Sequence, residues 1–156
     1  MYPWFVVLHL LGLMAFLLSH AVSMWVAFRI RDERDRTVLT ALLGLSARGS
    51  QAMYVGLIAL AVGGFGAAAI AGVLLAPWIV VSYAVLVGVL VAMYAIAGSY
   101  YYALRDGLAG TDKVPRLDDE ALAARLRSRR PEFLAGIGGG GLAILVVLMS
   151  VKPALW

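Results

Sequence analysis

Residues 3–28, PWFVVLHLLGLMAFLLSHAVSMWVAF, decide the fold of this chain, and their only ionisable groups are His9 and His20. A run this long and apolar exceeds the ~20 residues needed to cross a hydrocarbon core. Its backbone polar groups must be satisfied within the segment, which selects a helix. The histidines are eleven residues apart, so they share one helical face and lie roughly 16 Å apart along the axis. An imidazole inside a span is costly to desolvate, which makes that face the first candidate for function.

Composition agrees with a membrane chain. Of 156 residues, 63% are hydrophobic and only 14% charged, outside the range of a soluble domain. Cysteine is absent, which excludes disulfides, thiolate metal sites, iron–sulfur clusters and cysteine nucleophiles. The net charge of +4 does not indicate nucleic acid, because the basic residues flank apolar spans and suit membrane lipids and topology. The first span is too long for the apolar core of a signal peptide and lacks a basic lead-in and a cleavage pattern. It is expected to be retained.

Four spans are expected, at about 2–28, 51–75, 78–104 and 133–151, within a single membrane domain covering 1–156. The connection 29–50 carries Arg29, Arg31, Arg34, Arg36 and Arg48. The connection 105–132 carries Arg105, Lys113, Arg116, Arg125, Arg127, Arg129 and Arg130. The positive-inside rule makes both connections cytoplasmic and puts both termini outside. The expectation is an all-α, four-transmembrane-helix bundle, multi-pass in a bacterial inner membrane. Trp4, Trp25, Trp78 and Trp156 fall where interfacial anchors belong.

Every acidic residue, from Asp32, Glu33 and Asp35 through Asp106, Asp112, Asp118, Asp119 and Glu120 to Glu132, lies in the cytoplasmic regions. No carboxylate near mid-bilayer is left to relay protons or couple ions, so active transport is disfavoured. Serine–histidine–carboxylate hydrolysis fails for the same reason, and zinc would need a third ligand. Within the connections, 36–47 reads as a helix that extends span two or lies at the surface. Residues 118–130 read as a helix with an acidic start and a basic end. Its Leu122 and Leu126 form a stripe that could face lipid, or it is a solvated linker.

Small residues recur at four-residue spacing in Gly64, Ala68 and Gly72, in Gly63, Ala67 and Ala71, and in Gly136 and Gly140. They predict close helix packing or a homo-oligomer. The Gly138–Gly141 run has no preceding strand and no Lys-Ser/Thr pair, so it is not a phosphate loop.

The histidine face continues through Gly12, Ser19 and Ser23. Span three offers Tyr83 and Tyr94, also eleven apart and at matching depths, so two Tyr–His hydrogen bonds between spans one and three could satisfy the face without a cofactor. The competing reading is haem b with His9 and His20 as axial ligands, flanked by Gly12, Ser19, Tyr83 and Tyr94. A parallel dimer would then pair each histidine with its mate. Copper is a third reading, with thioethers from Met14, Met24, Met53 and Met93.

The stretch His9-Leu10-Leu11-Gly12, the Arg-rich turn after span one, and Ser99-Tyr100-Tyr101-Tyr102-Ala103-Leu104-Arg105 carry a resemblance over spans one to three. The chain resembles small bacterial membrane proteins of the DUF2269, CopD-like and HemJ-like group. That resemblance implies a four-helix module in which His9 could ligate haem or copper. HemJ-type enzymes pair their histidine with a lysine in a later span, whereas here Lys152 lies at the far edge. Two functions are therefore carried forward. One is a haem b redox or electron-transfer module, alone or in a larger membrane complex. The other is a non-catalytic accessory or assembly subunit.

Overall fold

In the computed structural model, residues 1–110 and 114–153 are described. Asp112, Lys113 and Trp156 lie outside them. Five helices follow in order: α1 (Tyr2–Arg29), α2 (Arg36–Ile70), α3 (Pro77–Ala109), α4 (Asp119–Leu126) and α5 (Arg130–Val151). The helices α1, α2, α3 and the segment containing α5 are each long and apolar enough to cross a membrane.

Their ends follow local chemistry. Asp35 caps α2, its carboxylate accepting from the Thr37 and Val38 backbone N–H groups, and Asp118 caps α4 by accepting from Ala121. Proline opens α1, α3 and α5, where its missing N–H costs nothing. Gly110, with φ of 71°, ends α3 in a left-handed conformation that a side chain would strain. Segment 36–47 continues span two without a break, so α2 begins well before residue 51. Once the Asp35 cap has started the helix, nothing between it and the span breaks it.

The two backbone hydrogen bonds to Asp35 hold its carboxyl below the usual carboxylate range. A depressed folded-state pKa stabilises the fold above the unfolded value and loses that contribution as pH falls through the folded one. Asp35→Ala should therefore lower the unfolding temperature at pH 7, and the deficit should shrink below about pH 4. Thermal unfolding in detergent at the two pH values checks this, and a constant deficit would count against the cap.

The four long apolar helices neighbour one another in the cyclic order α1, α2, α3, α5, and the closest approaches are within the pairs α1–α2 and α3–α5. No Cα of α1 lies within 8 Å of one in α3. In α1–α2 the backbones themselves meet. A Cβ built on Gly56 would lie 2.7 Å from the Phe16 nitrogen, and one on Gly63 would lie 2.8 Å from the His9 Cα. A Cβ on Gly12 would overlap the Leu60 nitrogen. Gly49, Gly56 and Gly63 recur every seven residues, the period that keeps a seam facing its partner over many turns. Gly136 and Gly140, expected to pack, instead have open space where a side chain would stand; Gly138 and Gly141 face inward.

The side-chain core sits at the Arg-rich end, hereafter the basic end. Val26, Ile30, Leu39, Leu43, Tyr100, Leu104 and Leu108 pack there with Leu122 and Leu126 of α4. The Leu122/Leu126 stripe thus faces protein, not lipid, because α4 folds back over the ends of the spans. Polar ties hold it: Arg36 donates to the Leu117 carbonyl and to Asp119, the Tyr100 hydroxyl donates to the Arg125 carbonyl at 3.1 Å, and Arg31 pairs with Glu132 at 2.8 Å. At the opposite end, the Lys152 ammonium lies 5.5 Å from the Trp78 ring centroid, a cation–π contact between α3 and α5.

Candidate functional site

The two histidines of α1 have different surroundings. His9 sits in the glycine seam, where Gly64 leaves room for its ring: a Cβ there would be 2.8 Å from Nδ1. Its Nδ1 lies 2.8 Å from the Leu60 carbonyl oxygen of α2. A carbonyl only accepts, so Nδ1 carries a proton, and of the two neutral tautomers this contact selects the one whose lone pair is on Nε2. Metal-bound histidines are commonly oriented this way, one N–H fixed on a backbone carbonyl and the other nitrogen left as ligand.

His20 stacks on Phe16 one turn earlier, centroids 6.0 Å apart and planes 3° apart. Its Nε2 faces α5, where a Cβ on Gly138 would stand 2.9 Å away. That wall leaves no space for a macrocycle at Nε2 in this rotamer. His20 also lines a cavity of about 560 Å³ between the two helix pairs, within the usual size of ligand pockets. Met24, Met53, Met93 and Tyr94 share that lining.

The expected Tyr–His hydrogen bonds are not formed. His9 takes its partner from α2, and α1 and α3 are diagonal in the bundle. Tyr83 lies in a shallow apolar hollow with Phe5, Phe65 and Ile70. Tyr94 lines the larger cavity beside His20 but is 70% exposed and makes no hydrogen bond among the described residues. Gly12 and Ser19 face α2: Gly12 meets Leu60, and the Ser19 carbonyl lies beside Gly49. Neither lines the two cavities described. Among the described residues no three His, Asp or Glu side chains converge.

Three features escaped the sequence reading. Arg105, Gln51 and Ser50 line the large cavity, and Arg105 donates from Nη2 to the Leu43 carbonyl at 3.2 Å. Only a structure could bring Arg105 of α3 together with Ser50 and Gln51 of α2. By contrast, the seven-residue recurrence of Gly49, Gly56 and Gly63 was present in the sequence.

Comparison with protein-family models, with curated proteins and with solved structures gives no match.

Proposed function

We propose that this chain is a small multi-pass membrane module that binds haem b through an α1 imidazole, His9 foremost, serving electron transfer or a membrane redox complex. The observation that carries the reading is the His9 hydrogen bond to the Leu60 carbonyl. It fixes the ring and leaves Nε2 as the nitrogen available to a ligand. If bound, haem would supply a one-electron iron couple, and His9 would hold it through Nε2 among apolar residues. His20 is the second candidate, and it reaches a macrocycle only by turning from Gly138 into the cavity. The resemblance carried by His9-Leu10-Leu11-Gly12 supports the same residue. A parallel homodimer would bring each His9 to its mate.

The same hydrogen bond favours a second reading, a non-catalytic accessory subunit in which His9 only ties α1 to α2. His9→Asn separates the two, because an asparagine amide N–H can replace Nδ1–H at Leu60 but supplies no imidazole. Under the haem reading, protein made in haem-replete cells shows a Soret band with reducible α/β bands. His9→Asn should lose the bands and unfold at the temperature of haem-free wild type, since bound haem itself adds stability. A colourless wild-type protein would sink the haem reading. His9→Ala less stable than both His9→Asn and wild type would then establish the tie.

A further inference from the structure

The cavity between the helix pairs is amphipathic along its length. Leu57, Leu90 and Val91 line its apolar part, and Ser50, Gln51 and Arg105 supply polar groups. Arg105 stands four residues before the end of α3, at the basic end. Among the described residues its guanidinium makes one hydrogen bond, from Nη2 to Leu43. Among the described residues its buried Nε has no partner and no carboxylate pairs with it. A permanent cation partly withdrawn from water and lacking a counter-charge is costly, so the site favours an anion.

The cavity's shape indicates how the anion arrives. Of its six exposed lining residues, five belong to α2 (Gln51, Tyr54) and α3 (Val91, Tyr94, Tyr102), and the sixth is Met24 on α1. These two helices, like α1 and α5, approach each other far less closely than α1 approaches α2, and it is on α2 and α3 that the exposed lining concentrates. The mouth therefore opens sideways between α2 and α3, toward the hydrocarbon that surrounds the spans. An occupant entering there is dissolved in the membrane, with an apolar body among Leu57, Leu90 and Val91 and an acidic head at Arg105.

We propose that this cavity is a binding site for an anionic phospholipid, its headgroup phosphate held by Arg105 and an acyl chain inserted between the helix pairs. The site does not depend on haem at His9. Haem at His20 would compete for the same space, so binding is to be read on haem-free protein, with an absorbance spectrum of the same sample.

The test is native mass spectrometry of the full chain, equilibrated with equal phosphatidylglycerol and phosphatidylcholine. Wild type should retain one phosphatidylglycerol with about tenfold preference, the scale of a charge-assisted contact. Arg105→Gln should abolish that preference, whereas Arg48→Gln, which removes an exposed arginine outside the cavity lining, should keep it. Ala97→Phe, which fills the lining without touching the charge, should reduce retention of both lipids. Inorganic phosphate at millimolar concentration should not displace the lipid; if it does, the site holds a free anion and the proposal fails. Equal retention of the two lipids by wild type, or an equal loss in Arg48→Gln and Arg105→Gln, would also overturn it. If Arg105→Gln does not fold, Ala97→Phe decides: unchanged retention would refute the site.

Discussion

Gly56→Ala should destabilise this protein by about 1–3 kcal/mol, although alanine is the better helix former. The expectation follows from what a Cβ would touch. On Gly56 it meets the Phe16 nitrogen at 2.7 Å, the Gly12 oxygen at 3.0 Å and the Ala15 carbonyl carbon at 3.1 Å. All three are backbone atoms of α1, and none can swing aside as a side chain would. The helices must separate, which forfeits dispersion contact along the seam, and in lipid that contact is a main source of helix association. Gly56→Leu should prevent the α1–α2 pair from forming. Gly136→Ala and Gly140→Ala are the controls, since a Cβ at either meets nothing within 4 Å. They should be neutral or slightly stabilising. Thermal unfolding in one detergent ranks the four variants, and Gly56→Ala as stable as Gly140→Ala would contradict the backbone contact.

The four long apolar helices were legible because hydropathy and length alone decide them, and the structure keeps all four. Lateral arrangement was not legible. Matching His9 to Tyr83 and His20 to Tyr94 by depth assumes that α1 and α3 are neighbours. Short connections place each helix beside the next in the chain, and α1 and α3 become diagonal. Small-residue spacing has a similar limit. A four-residue repeat says that a face can be approached, and it does not say that a partner uses it. Hence Gly136 and Gly140 stay open while Gly56 and Gly63 carry the α1–α2 contact. Leu122 and Leu126 form a stripe that fits lipid or protein equally, and only the fold of α4 over the spans assigns it. For the candidate site, both histidines could be found from the sequence. The partner that orients His9 is a backbone carbonyl, which no side-chain pattern reveals.

The largest side-chain effect is expected at Leu104→Ala, a loss of about 2–5 kcal/mol. Leu104 is fully buried at the basic end, in one cluster with Val26 of α1, Leu39 and Leu43 of α2, and Leu126 of α4. Along the spans the two helix pairs meet sparsely and enclose a cavity, so this cluster is their main joint. Truncating Leu104 should loosen one pair against the other while leaving the glycine seam of α1–α2 closed. A chain without cysteine lets paired labels report this directly. Spin labels on the exposed positions Leu10 and Val87 measure across the pairs, and labels on Leu10 and Ile58 measure within one. In Leu104→Ala the first distance distribution should broaden and the second should not. Leu18→Ala, at an exposed site, should change neither. Equal broadening of both distributions would mean that the basic-end core holds each pair together, not only the two to each other. The glycine seam would then be too weak to stand alone, and the stability assigned above to Gly56 would have to be shared with the Leu104 cluster.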